Sequence, residues 1–334
     1  MQQIKKYGIR FVGVVVLLVG VWALYHQIAT VRSAEKYPAP GEMVDVGDRR
    51  LHMLCRGNGD GPTVVLVSGL SAISYYAWPD IAVPLSKETR TCLYDRAGYG
   101  WSDPFDGELD LDIAVADLAR IVDAAGGGKP VILVGHSYGG LLVRQYALKS
   151  PEHVAGLVLL DSSHEQSYSR FPKDDSFPTG KPDLIAGFGA AVGYYRFLAD
   201  FWITKEGVDY LSDQEFDQLM ELYVHTEYHL AVNAELRDVL ERDFSPVSAG
   251  TLGDMPLVVL SRDTNVTDGL PLDLRQEAVW AEMQQELARI STNGRIETLE
   301  GASHNFTLER PGKIISAVLA IRSELAEKQV NAAP

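Results

Sequence analysis

Apolar residues along this chain fall into two alternating rhythms. Short, nearly unbroken runs such as Val64-Val-Leu-Val67 and Val131-Ile-Leu-Val134 are bounded by turn residues, the pattern of strands buried on both faces. They predict strands near 43–48, 50–56, 63–68, 90–95, 131–135, 155–161, 256–261 and 295–299. Between most of them the apolar positions take helical spacing, over about 75–87, 110–125, 138–150, 275–291 and 311–327. Strand and helix in alternation imply an α/β fold, a mostly parallel sheet with helices on both faces. The first two strands follow each other in quick succession, which suggests an antiparallel hairpin at one edge. From His164 to Asp254 the rhythm breaks into helical pieces rich in aromatics, among them the capping box Ser212-Asp-Gln-Glu215. This interval reads as a helical lid inserted between two strands.

The N-terminus follows neither rhythm. Phe11 to Tyr25 carries no charge, and a helix over 11–29 would be roughly 28 Å long, close to the hydrocarbon thickness of a bilayer. Lys5, Lys6 and Arg10 precede it, whereas Arg32 and Lys36 are interleaved with Glu35 and Glu42. That asymmetry keeps the start of the chain in the cytoplasm and places everything after residue 30 on the far side, periplasmic or extracellular. Residues 1–30 are therefore read as an uncleaved membrane anchor, the alternative being a secretory signal that is removed. The best small-x-small cleavage site, Val31-x-Ser33, is poor. Residues 31–42, with Pro38 and Pro40, read as an extended linker to a domain at 43–328.

Composition narrows the partners. At 334 residues and 46% hydrophobic content, the chain suits one large α/β domain with an insertion. A net charge of -15 argues against nucleic acid, which needs a basic face. No internal repeat is present.

The chemistry gathers around Gly135-His-Ser-Tyr-Gly139, where an apolar strand runs straight into a serine between glycines. Ser137 either caps the following helix or serves as a nucleophile. A sharp strand-to-helix turn lifts the hydroxyl above the sheet edge, requires glycine where strand and helix crowd, and aims the Tyr138 amide at developing negative charge. Context favours the nucleophile, with a strand before, a helix after and a histidine far downstream.

With these features the chain resembles the α/β-hydrolase superfamily over nearly all of 43–328. The resemblance is carried by VVLVSGLS (64–71), CLYDRAGYGWSD (92–103), VILVGHSYGG (131–140), VAGLVLLD (154–161) and LEGASHNFTLERP (299–311). It implies an eight-stranded sheet with the nucleophile after the fifth strand and the lid at about 164–254. His304 matches the family's G-x-x-H base, and the order serine, acid, histidine fits. Oxyanion donors would be the amides of Tyr138 and Leu70, although Ser68-Gly69 stands where His-Gly is common. Two aspartates compete for the acid: Asp161, after the sixth strand, is favoured over Asp263, after the seventh and one residue early for the usual offset. Neighbouring second and fourth strands, in an exported chain, imply a disulfide between Cys55 and Cys92 rather than two buried thiols.

The implied reaction is acyl transfer to water through an acyl-enzyme, with no cofactor or metal. A serine disfavours the dehalogenase and epoxide hydrolase branches, which use a carboxylate there. The expected activity is carboxylesterase or lipase-like, on a small molecule with an apolar acyl group. Phe171, Phe177, Phe188, Tyr194, Tyr195, Phe197, Phe201 and Trp202 of the lid either line its pocket or pack as core. Amidase, peptidase, carbon–carbon hydrolase and cofactor-free peroxidase chemistry would use the same triad. A non-catalytic ligand receptor is disfavoured by the intact Ser137 and His304. Asp95, Arg96 and Asp103 are expected to brace the turn after the fourth strand, and His164 to sit at the lid hinge or site rim. His225 and His229 lack the spacing of a zinc helix. Asn265 and Asn305 head glycosylation sequons.

Overall fold

A computed structural model describes residues 2–171, 184–202, 205, 208, 210–241, 252–266 and 274–332. Eight strands form one sheet: β1 (Glu42–Asp45), β2 (Arg50–Arg56), β3 (Val64–Val67), β4 (Thr91–Tyr94), β5 (Val131–His136), β6 (Val154–Leu160), β7 (Leu257–Arg262) and β8 (Gly294–Leu299). Their order across the sheet is β1-β2-β4-β3-β5-β6-β7-β8. From β4 to β8 every pairing is parallel, and β2 runs antiparallel to both β1 and β4. Cys55 stands opposite Cys92 in the β2–β4 register, with Cα atoms 4.0 Å apart and the sulfurs joined.

The helices are α1 (Gln2–Lys36), α2 (Ser74–Ala77), α3 (Pro79–Leu85), α4 (Leu111–Gly126), α5 (Tyr138–Lys149), α6 (Ser167–Arg170), α7 (Leu184–Ala191), α8 (Tyr194–Trp202), α9 (Asp213–Tyr223), α10 (Thr226–Glu241), α11 (Leu274–Ala288), α12 (Phe306–Glu309) and α13 (Pro311–Ala332). Side chains alternate across the sheet because the strand period is two. Val65, Val67, Leu133, Leu157 and Leu159 enter one layer with α4 and α5. Val64, Leu66, Ile132, Val134, Val158 and Leu160 enter the other with α3 and α13. Burying each such side chain contributes about 1.5–3 kcal/mol.

Local chemistry sets the element ends. Asp110 caps α4 by accepting from the Ile113 amide at 2.9 Å, and Gly127 closes it at φ 58°. The capping box of α9 forms as the sequence implies, Ser212 and Glu215 each taking the other's amide. The helix expected over 75–87 is two, because Pro79, which has no N–H to donate, opens α3.

One boundary differs from expectation. The helix α1 runs through Lys36, so the stretch free of regular structure before β1 shrinks to 37–41. Ser33 and Tyr37 are buried, and this docking carries the helix on until Pro38 stops it.

α6 to α10, between β6 and β7, make up the described part of the lid. Phe177 lies outside the described residues, as do the side chains of Phe201 and Trp202.

Candidate active site

β5 ends at His136 and α5 begins at Tyr138, so the whole reversal falls on Ser137. Its φ of 52° and ψ of -119° occupy a region that a residue with a Cβ adopts at a cost of about 1–3 kcal/mol. Three hydrogen bonds hold it there. Ser137 N–H donates to the Leu160 carbonyl at 3.0 Å, and the Ser137 carbonyl accepts from Gly140 and Ser163 at 3.0 and 2.9 Å. A Cβ at Gly135 would lie 2.5 Å from the Gly139 carbonyl oxygen, and one at Gly139 would lie 2.3 Å from that of Val67. Gly140 is equally constrained, pressed against Ser162. The Ser137 hydroxyl makes no hydrogen bond among the described residues; such bonds commonly tighten only around substrate.

His304 reaches the elbow from the loop after β8. Its carbonyl accepts from His136 Nε2 at 2.9 Å, and the two rings lie 4.7 Å apart. Its Nδ1 lies 2.6 Å from Asp161 Oδ2. Asp161, fully buried at φ 40°, also accepts from Trp280 Nε1 at 2.8 Å and lies 3.4 Å from Arg262 Nε. Burial raises the pKa of Asp161, but the bond from His304, the charges of His304 and Arg262 and the Trp280 bond outweigh it and hold the carboxyl below its ordinary range. Asp263 is elsewhere. Its carboxylate accepts from the Gly301 amide at 2.9 Å and from Asn265, so it ties down the loop that carries His304.

The segment after β3 approaches from the other side. A Cβ on Gly69 would lie 3.1 Å from the Ser137 Cβ, which places the Leu70 amide beside the elbow. Among the described residues neither the Leu70 nor the Tyr138 amide donates to another group of the chain.

The sequence left the fixing of this segment unread. Asp95 and Asp103 brace the turn after β4, Asp95 through His52 at 2.9 Å and Asp103 through Arg50. Arg96 goes further: it donates to the Ser68 and Gly69 carbonyls at 2.6 and 3.0 Å, and forks onto Glu235 of α10 at 2.6 and 2.9 Å. Burial disfavours the charge on Arg96, yet Glu235 and Tyr99 more than compensate and its pKa lies well above the ordinary value. One buried guanidinium thus clamps the loop after β3 to the lid. A glutamate 139 residues away gives no local signal of this.

Above Gly69 and His136 lies a cavity of about 580 Å³. Ile73, Tyr76 and Trp78 wall it from below, and Phe216, Met220 and Tyr228 from the lid. Among the described residues, the lid aromatics named from sequence do not line it, because α9 and α10 are the helices over the elbow. Phe171 is buried and stacks on Trp280, Tyr195 stacks on His229, and Phe188, Tyr194 and Phe197 face outward. His164 is buried at the hinge beside Glu165 and Glu286. Ser33 Oγ lies 3.2 Å from His225 Nε2. Among the described residues no cluster of three or more His, Cys, Asp or Glu could hold a metal ion.

An eight-stranded α/β sheet with a serine on a strained elbow at the carboxyl end of β5, faced by a histidine–aspartate pair, defines a hydrolase of the α/β type. The chain belongs to the alpha/beta hydrolase family, whose model matches residues 64–317. It is 25% identical over 235 residues to the uncharacterized protein YbdG of Bacillus subtilis, covering 69% of this chain and 70% of that one. It is 33% identical over 159 residues to a pimeloyl-(acyl-carrier protein) methyl ester esterase of Yersinia pseudotuberculosis, covering 47% of this chain and 54% of the esterase. The crystal structure of the enol-lactonase from Burkholderia xenovorans LB400 superposes with a TM-score of 0.60 at 21% identity, covering 84% of this chain and 99% of the lactonase. At that identity the likeness is one of fold.

Proposed function

We propose that this chain is a membrane-anchored serine hydrolase that cleaves carboxylic esters with Ser137, His304 and Asp161. The observation that carries the reading is the 2.6 Å bond between His304 Nδ1 and buried Asp161, which orients the ring and assigns Nε2 the role of base toward Ser137. His304 takes the Ser137 proton as Oγ attacks the acyl carbon, and the Leu70 and Tyr138 amides take the oxyanion. The ester C–O bond then breaks, the proton passes to the leaving alcohol, and water activated by His304 releases the acid. A serine attack on an epoxide would instead end in an ether with no hydrolytic exit. The mostly apolar cavity supports an apolar acyl group.

An 18-residue stretch within Tyr7–Lys36 has a mean hydropathy of 2.1 and is not buried in the protein, which supports the anchor. Trp22, His26 and Ser33 are engaged by lid residues, contacts that removal of a signal segment would strip away. Charge asymmetry then sets the hydrolase domain on the extracytoplasmic side.

A panel of aryl esters of increasing acyl length tests the activity. Turnover that peaks at an apolar chain and is lost in Ser137→Ala supports the reading. No turnover across the panel, or an unchanged rate in the variant, refutes it.

A further inference from the structure

The lid carries aromatic side chains that the cavity does not use. Phe188 is 67% exposed, Tyr194 50% and Phe197 39%, an apolar surface that marks a contact with something else. This surface is continuous with α1. The rings of Trp22 and Phe197 meet edge-on at 5.8 Å, and Trp22 lies 5.1 Å from Tyr25. Trp22 Nε1 donates to the Gly193 carbonyl at 3.0 Å, and a Cβ on Gly193 would come within 2.7 Å of His26. His26 in turn accepts from Arg196 Nε at 3.2 Å and lies 3.2 Å from Thr226 Oγ1. The α7–α8 turn is therefore fixed at one height along α1.

That height has a meaning if α1 spans a bilayer, the reading on which this inference rests. Tyr7 follows Lys5 and Lys6, and the helix from Tyr7 to His26 is roughly 30 Å long, the thickness of the hydrocarbon core. A bilayer entered at Tyr7 is left near His26, where Arg196, paired with Glu221 at 3.0 Å, sits as charge should at the rim. Trp22 and Tyr25 then fall at the far interface, the level where aromatic rings concentrate. Phe188, Tyr194 and Phe197 extend that belt from a second part of the chain. We propose that the α7–α8 face of the lid is seated in the bilayer interface, its partner the boundary between phospholipid headgroups and acyl chains on the side of the hydrolase domain. The buried side of α8 carries Tyr195, stacked on His229 of the cavity wall. Lipid contact and substrate cavity are thus one helix apart.

The test uses the full chain in vesicles of phosphatidylcholine with a minor share of phosphatidylglycerol. An environment-sensitive fluorophore is attached in turn to Phe188→Cys, Tyr194→Cys, Leu17→Cys and Lys313→Cys; Cys55 and Cys92, being joined, do not compete for it. Lipids bearing nitroxides near the headgroup or deep in the chain serve as quenchers. Labels at 188 and 194 are expected to emit blue-shifted and lose intensity to the shallow nitroxide, the label at 17 to the deep one, and that at 313 to neither. Aqueous, unquenched emission at 188 and 194 with quenching at 17 would overturn the lid contact and leave the anchor standing. No quenching at 17 would overturn the anchor and this inference with it.

Discussion

Asp161 and Asp263 compete for one histidine in the sequence, and the backbone separates them. Asp161 leaves β6 with its carboxylate turned onto His304 Nδ1, while Asp263, one strand over, turns to the Gly301 amide. Asparagine at 161 should therefore lower kcat by up to about 10⁴ by favouring the wrong tautomer of His304. Asparagine at 263 should stay within about tenfold of the parent, since it only loosens a loop. Steady-state kinetics on both variants, each checked for folding by circular dichroism, decides it; the reverse ranking would move the acid to Asp263. Acidity is the second test at this scale. Burial pushes His229 down to about 4, and likewise His225, while burial and the neighbouring His304 push His136 to about 3. Each is neutral when folded and takes a proton near its ordinary 6.5 when unfolded. The unfolded chain thus binds more protons between those values, so stability is complete above 6.5 and falls with pH below it, by at most about 1.4 kcal/mol per unit for each histidine. Thermal melts should show His229→Asn losing less than the parent between about pH 6.5 and 5. Equal losses would remove His229 from this account.

Strands and helices of the sheet were legible because their signal is local. The run Val131-Ile-Leu-Val134 becomes β5 and Leu257-Val-Val-Leu260 lies within β7, each apolar because both faces are covered. Ser137 and His304 were legible for the same reason, each announced by neighbouring glycines. What escaped depends on residues far apart. Helix α1 outlasts its apolar stretch because Ser33 meets His225 of the lid, and among the described residues the lid side of the cavity comes mostly from α9 and α10. The clamp of Arg96 onto Glu235 belongs to the same class. Glu235→Ala would leave a buried guanidinium unpaired, a change that costs about 3–5 kcal/mol. Urea unfolding should register that loss; a change below about 1 kcal/mol would mean that the pair does not hold the lid to the loop after β3.

For the whole molecule, the proposed anchor, with its positive flank ahead of the apolar helix, implies that the hydrolase domain lies on the extracytoplasmic side. Protease added outside intact spheroplasts is expected to digest the hydrolase domain, and full protection would reverse the topology. The central claim is that Ser137 carries the acyl group. Labelling with a fluorophosphonate, followed by tandem mass spectrometry, measures that directly. The account predicts a single adduct on Ser137, lost in Ser137→Ala. An unlabelled folded chain, or an adduct on another residue that persists in the variant, would contradict it.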